Sequence, residues 1–196
     1  IIYKYKTIYL INMGVLKDCI NNNKIDSIPV WFMRQAGRYL PEFMKIRKQN
    51  SDFIKLCLDS ELAKEITIQP VKRFDIDAAI IFSDILLVPF ALGQPVKFKK
   101  DFGPLLGEIN FNKMSKINEM QFIDKLKPVY NAIKKTKDKV ELKNKDLIGF
   151  VGAPWTILIY MLNQKSPKND NIELNLKDKK FIEDLLKVIV KFLKIH

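Results

Sequence analysis

Two arginines four residues apart, Arg34 and Arg38 in the stretch VWFMRQAGRYLP, are the residues best suited to chemistry in this 196-residue chain. Of its 34 basic residues only four are arginines, the others being Arg47 and Arg73. Lysine supplies positive charge everywhere else. A lysine is a hydrated point charge, whereas arginine presents a planar fork that grips a carboxylate through two parallel bonds. If the segment turns helically, both forks could reach one polyanionic ligand from one side. The same pair could instead form structural ion pairs, and the residue types leave both readings open. Gly37 between them implies close backbone approach or an unusual dihedral.

Other polar residues stand at comparable places. Asp84, preceded by Ser83, ends the apolar run IIFSD. A carboxylate there either caps a helix or faces a ligand. Tyr160 follows APWTILI, on the first turns of an expected helix, where its hydroxyl could reach a site or simply water. His196, the final residue, is the one histidine, so no internal imidazole can act as base or ligand. Cys19 and Cys57 are too few and too distant for a metal knot or disulfide framework, and read as two reduced thiols. Chemistry in this chain therefore rests on arginine, carboxylate or tyrosine.

The elements that position these residues can be read from periodicity. Residues 27–33 form a short apolar run containing Pro29 and read as a first strand. Helical spacing covers 51–74, with Ser60 placed to cap a second segment and Pro70 expected to kink or divide it. DAAIIFSD, residues 77–84, is apolar without alternation, the pattern of a parallel strand buried on both faces. A helix is predicted over 117–136, with Phe122, Leu126, Val129 and Ile133 on one side. DLIGFVGAP, residues 146–154, repeats the buried-strand pattern. After the polar linker NQKSPKNDN, a last helix is predicted from about 178 to 195, with Phe181, Leu185, Ile189 and Phe192 on its stripe. Trp31 and Trp155 read as core or rim packing.

The order is strand, helices, strand, helix, strand, helix, which predicts α/β architecture with a parallel sheet. No dinucleotide fingerprint or P-loop is present. Each polar motif falls at the C-terminal end of a predicted strand, where active sites of (β/α)₈ barrels assemble. Three βα units are too few to close such a barrel, so the expectation is an incomplete (β/α)₈ barrel, its remainder outside the chain. Residues 13–196 would be the N-terminal portion of one barrel domain, and residues 1–12 a leader outside the natural start. The net charge of +12 invites a nucleic-acid or membrane reading. The lysines, however, spread along every segment instead of clustering, as a compositional bias would place them. No segment reaches 18 uncharged apolar residues, and no signal peptide is evident. The expectation is a soluble cytoplasmic protein without a nucleic-acid or membrane partner.

Three long segments in order, PVWFMRQAGRYLPEF, AAIIFSDILLVPFALG and GFVGAPWTILIYM, resemble the hallmark segments of the N-terminal half of the uroporphyrinogen decarboxylase family. The resemblance covers about residues 14–195 and implies a single-domain barrel that forms a homodimer and needs no cofactor or metal. It also implies a reaction, conversion of the four acetate side chains of uroporphyrinogen III to methyl groups, giving coproporphyrinogen III. Carried over by motif, the substrate-binding loop falls on Arg34, Gln35, Ala36, Gly37 and Arg38. The carboxylate that receives the pyrrole N–H groups falls on Asp84, and the active-site tyrosine on Tyr160. Arg34 is the better candidate for polarising the reacting acetate, and the proton donor is left open. The family's later serine and histidine have no counterpart here, and His196 matches no such motif. The wider superfamily holds corrinoid-dependent methyltransferases that use zinc but lack the RQAGRY segment. A noncatalytic anion-binding remnant is the third alternative. As an enzyme, this chain by itself is expected to be inactive.

Overall fold

The computed structural model describes residues 14–23, 27–99, 102–166 and 178–196. The leader expected over residues 1–12 and the linker beyond Ser166 lie outside them. The described elements are α1 (Val15–Ile20), α2 (Pro41–Gln49), α3 (Phe53–Cys57), α4 (Ser60–Arg73), β1 (Ala78–Ile80), α5 (Leu87–Ala91), β2 (Val96–Lys99) and β3 (Gly103–Leu106). They continue with α6 (Phe111–Met114), α7 (Glu119–Lys137), a 3₁₀ turn (Val140–Leu142), β4 (Asp146–Ile148), α8 (Pro154–Asn163) and α9 (Lys179–Ile195). The chain packs as two compact units. One draws on residues up to Ser51, Asp59–Phe82 and Val129–Phe150, the other on Asp52–Leu58, Ser83–Pro128 and Val151–His196.

In the first unit β1 and β4 pair in parallel, Ala78 opposite Asp146 and Ile80 opposite Ile148. This is the βα repetition the sequence predicts, and the fold is α/β, a partial (β/α)₈ barrel whose parallel strands do not close. The ladder is shorter than the apolar runs. Only β1 is deeply buried, through Ala78 and Ala79, while the three residues of β4 are half-buried. Helix α4 lies on β1 and builds the core with it: Ile68, Val71, Ile76, Ala79 and Leu142 form one cluster, with Leu147 against it. Ala63, Ile81 and Ala132 form a second.

The first predicted strand does not form a ladder. Within residues 27–33, the Val30 carbonyl accepts from the Asp77 amide at 2.8 Å, and the Val30 amide is taken by the Asp77 carboxylate at 2.7 Å. Nor does Ser60 cap α4. Asp59 does, accepting from the amides of Glu61 and Leu62 at 2.9 and 3.0 Å. A carboxylate at that position satisfies two orphan amides and complements the helix dipole, which one hydroxyl cannot match. Ser60 Oγ instead accepts from Lys135 Nζ. Pro70 does not divide the helix, which runs on to Arg73. It stands near the end, where one missing intrahelical bond disturbs little of the ladder.

The second unit holds a hairpin absent from the periodicity reading. Strands β2 and β3 pair antiparallel, Val96 opposite Leu106 and Lys99 opposite Gly103. Gly103 has φ +85°, a conformation that strongly favours glycine. Phe98 meets Phe53 with ring centroids 4.5 Å apart. Helix α9 runs as predicted, but its buried face is Ile182, Leu185, Ile189 and Phe192. Phe181 is half-buried and packs edge-on against Phe111 instead. Neither cysteine is in a disulfide; Cys19 is exposed and Cys57 buried. Among the described residues no helix is long and apolar enough to cross a membrane.

Candidate functional site

The segment bearing the two arginines follows β1 from Asp77 onward. Beyond Val30, Gln35 turns inward and is 4% exposed. Its Nε2 donates to the Ala78 carbonyl at 2.7 Å and its Oε1 accepts from the Ile80 amide at 3.0 Å. The chain then reverses, with the Leu40 amide donating to the Gly37 carbonyl at 3.0 Å. The segment does not turn helically: Arg38 lies inside this turn and Arg34 in the irregular segment before it, so they share no helix face. The Tyr39 hydroxyl donates to the Gln35 carbonyl, and its ring sits beside Phe74. Burial raises the Tyr39 phenol above its ordinary value, with nearby Arg73 opposing, so it remains a donor at neutral pH.

Arg34 and Arg38 are exposed and make no hydrogen bond or ion pair to another described residue. The other two arginines are engaged. Arg73 grips Glu42 through two bonds of 2.9 and 3.0 Å, and Arg47 donates to the carbonyls of Asn50 and Ser51. The guanidinium of Arg73 accordingly holds the Glu42 carboxyl below its ordinary value. Structural pairing thus describes Arg47 and Arg73 but neither arginine of the motif. Gly37 departs from expectation. Its φ is not positive, and a Cβ there would meet only the Tyr39 ring at 3.5 Å, an ordinary contact. Packing among the described residues does not demand this glycine. Ala36 is half-buried between the two arginines.

Asp84 lies in the other unit, beyond the end of β1, with half-buried Ser83 before it. Its Oδ1 accepts from the Leu86 amide at 2.8 Å, and its carbonyl accepts from the Leu87 amide at 3.2 Å. The side chain closes a local turn ahead of α5. Burial pushes its carboxyl up to about 6, against the single amide bond that favours ionisation. Two residues upstream, the Phe82 amide donates to Thr67 Oγ1 at 2.8 Å, and Thr67 in turn donates to the Ala63 carbonyl at 2.7 Å. Thr67 is 1% exposed, so α4 fixes the end of the strand through a buried hydroxyl.

Tyr160 stands on α8, which begins with Pro154 at its first position. The preceding Gly152 is required by space, since a Cβ would lie 2.8 Å from Ile157 and 3.0 Å from Ile85. Tyr160 is half-buried, with its hydroxyl 3.4 Å from Ser166 Oγ. Buried Gln94 secures the end of this helix, its Nε2 donating to the carbonyls of Gly107 and Met161. Trp31 and Trp155 are not core: they are 37% and 51% exposed. The structure therefore carries Arg34, Gln35, Ala36, Gly37 and Arg38 on one irregular segment of the first unit, and sets Asp84 and Tyr160 in the other unit. Sequence reasoning missed the anchoring roles of Tyr39, Thr67 and Gln94. The one available signal was their polar character within otherwise apolar surroundings.

A family model described as uroporphyrinogen decarboxylase (URO-D) matches residues 15–195. Among curated relatives, the uroporphyrinogen decarboxylase of Rickettsia bellii is 45% identical over 168 residues, covering 84% of this chain and 48% of its own length. That of Rickettsia felis is 46% identical over 156 residues, 79% of this chain and 45% of its own length. That of Campylobacter jejuni is 48% identical over 147 residues, 72% of this chain and 42% of its own length. The chain thus spans about half the length of the curated relatives it matches. With the matched residues taking in Arg34, Arg38, Asp84 and Tyr160, the chain belongs to the uroporphyrinogen decarboxylase family.

Proposed function

We propose that a full-length counterpart of this chain decarboxylates the four acetate side chains of uroporphyrinogen III to give coproporphyrinogen III in porphyrin biosynthesis. The observation that carries the reading is the pair of exposed arginines, Arg34 and Arg38, without ionic partners among the described residues. A substrate bearing eight carboxylates offers such forks the partners they lack. Gln35, Ala36 and Gly37 complete the binding segment.

The chemistry asks for an electron sink. Protonation of the pyrrole ring at the carbon beside the acetate makes the ring a cation. The bond to the carboxylate then breaks, carbon dioxide leaves, and its electron pair enters the ring. A proton taken up at the exocyclic carbon gives the methyl group, and loss of the first proton restores the pyrrole. Each cycle consumes one proton net. Asp84 is the residue for the pyrrole N–H groups. Its carboxyl is raised by burial and receives one local amide bond, so a cation forming beside it gains a strong electrostatic partner. Arg34 would polarise the departing carboxylate, and Tyr160 would contribute a hydroxyl beside the ring. An arginine is a poor acid because its pKa is above about 12. The reading carries a homodimer of the longer protein, a cytoplasmic location and no cofactor.

Anaerobic incubation of a full-length counterpart with uroporphyrinogen, followed by chromatography of the oxidised products, tests it. Coproporphyrin is expected in the presence of chelator. Its absence, or stoichiometric zinc with methyl transfer from a corrinoid, overturns the reading. Binding without product marks a noncatalytic anion binder.

A further inference from the structure

Gln35 differs from the two arginines beside it. They are exposed, whereas its side chain is buried and both ends of its carboxamide are used on β1. Which edge of β1 it uses follows from strand alternation. The edge facing β4 is served by the Asp77 carbonyl, which accepts from Asp146, and by the Ile81 amide, which donates to Ile148. Successive peptide groups alternate between edges, so the Ala78 carbonyl and the Ile80 amide belong to the edge away from β4. A neighbouring parallel strand would satisfy that pair with the N–H and C=O of one residue. The carboxamide of Gln35 supplies one donor and one acceptor to the same two atoms.

We infer that Gln35 is a positioning residue: its carboxamide acts as a detached strand residue that clamps the Arg34–Arg38 segment to the edge of β1. The inference rests on the reading of these arginines as carboxylate anchors. Burial keeps water from competing for the two bonds, which makes them stronger than exposed equivalents. The Tyr39 hydroxyl holds the main-chain carbonyl of the same residue, so Gln35 is gripped at both its side chain and its backbone. Arginine side chains carry large rotamer entropy, and a turn fixed beforehand reduces the ordering left for the ligand to impose. The residue type is specific. Leucine offers neither bond, ionised glutamate offers no donor for the Ala78 carbonyl, and asparagine is one methylene short.

The test is residue-resolved NMR on the 196-residue chain, comparing wild type with Gln35→Leu and Tyr39→Phe. In Gln35→Leu the Ile80 amide is expected to exchange at least about tenfold faster, while Ile81 keeps its protection. Order parameters of the Arg34 and Arg38 amides are expected to fall from roughly 0.85 toward 0.6. Tyr39→Phe alters an exposed side chain and should loosen the same two amides while sparing Ile80. Unchanged order at Arg34 and Arg38 in both variants overturns the inference, as does unchanged Ile80 exchange in Gln35→Leu. If Gln35→Leu does not fold, Tyr39→Phe decides alone. Fluorescence titration with uroporphyrin separates the two levels of the argument. A double Arg34→Ala, Arg38→Ala variant that binds like wild type sinks the anchor reading. If that variant loses affinity while Gln35→Leu, folded and of unchanged charge, does not weaken at least about threefold, the clamp does not position the arginines.

Discussion

At the residue scale, the use of arginine at two exposed positions in a lysine-rich chain needs a reason beyond charge. Arg47 and Arg73 provide the internal comparison, since each uses its guanidinium geometry on several acceptors at once. The same geometry at Arg34 and Arg38 is unspent within the described residues, and a polycarboxylate would use it. Replacing either by lysine keeps the charge and loses the fork. In a full-length counterpart, Arg34→Lys and Arg38→Lys should each cost about 1.5–3 kcal/mol, or roughly 10–150-fold in kcat/KM. Steady-state kinetics at fixed ionic strength checks this, and wild-type rates would mean that charge alone is needed. Asp84 yields a prediction of a different kind. Its folded carboxyl is raised to about 6 by burial, above the unfolded value, so the neutral form is favoured by folding. The associated stability is fully present below the unfolded value and is lost as pH rises through about 6. Asp84→Asn should remove that dependence and stabilise the chain near pH 8 by at most roughly 3 kcal/mol. His196, whose imidazole burial holds below its ordinary value, works in the opposite sense over an overlapping window. The wild-type minus Asp84→Asn difference in urea stability between pH 5 and 8 is therefore the readout, and a flat difference would contradict the burial of that carboxyl.

At the element scale, helix α4 shows how a local cap and a buried hydroxyl fix the end of a strand. Asp59 starts the helix by taking two amides, and Thr67 on its buried face takes the Phe82 amide two residues before Asp84. Asp59→Ala should cost about 0.5–2 kcal/mol, seen as a lower urea midpoint at unchanged m-value. Ser60→Ala should cost less, because that hydroxyl meets only the half-exposed amine of Lys135. The reverse order would restore Ser60 as the cap. This is also where the limits of sequence reading are clearest. Helices α4, α7 and α9 were legible because long apolar stripes repeat with the helical period. The strands β1 and β4 were legible as apolar runs without alternation, though their ladders were overestimated. The β2–β3 hairpin was missed although VKFK alternates with period two, because the four-residue run is too short to stand out. The failed strand at 27–33 is more informative. Its apolar residues promised a ladder, but the Val30 amide is taken by the Asp77 carboxylate and the adjoining edge of β1 by the carboxamide of Gln35, neither of which periodicity can report. The arginines, Asp84 and Tyr160 were identifiable by residue type and motif. What surrounds them depended on buried polar side chains whose partners lie far along the chain.

At the scale of the whole molecule, the parallel sheet among the described residues has two strands, and β4 has no strand on its other side. A (β/α)₈ barrel removes such edges by closing eight strands into a ring. An unpaired edge is a template for association, the more so when apolar residues lie open elsewhere on the same unit. Ile28 is 86% exposed, Met33 79% and Phe32 53%, all in the run that fails to form a ladder. The clefts of barrel enzymes are built from loops contributed around the ring, and two parallel strands among the described residues carry too few of those loops to enclose one. The 196-residue chain is therefore expected to convert no uroporphyrinogen alone. It is also expected to associate with rising concentration, since pairing at the β4 edge and burial of the 28–33 run both favour contact between copies. Light scattering coupled to size-exclusion chromatography over a tenfold concentration range, with an anaerobic decarboxylation assay on each fraction, addresses both statements. Supplying the remaining βα units as a separate polypeptide should shift the profile toward a defined complex and restore turnover. A monodisperse, cooperatively unfolding and catalytically active species formed by this chain alone would show that neither a closed ring nor its other loops are required.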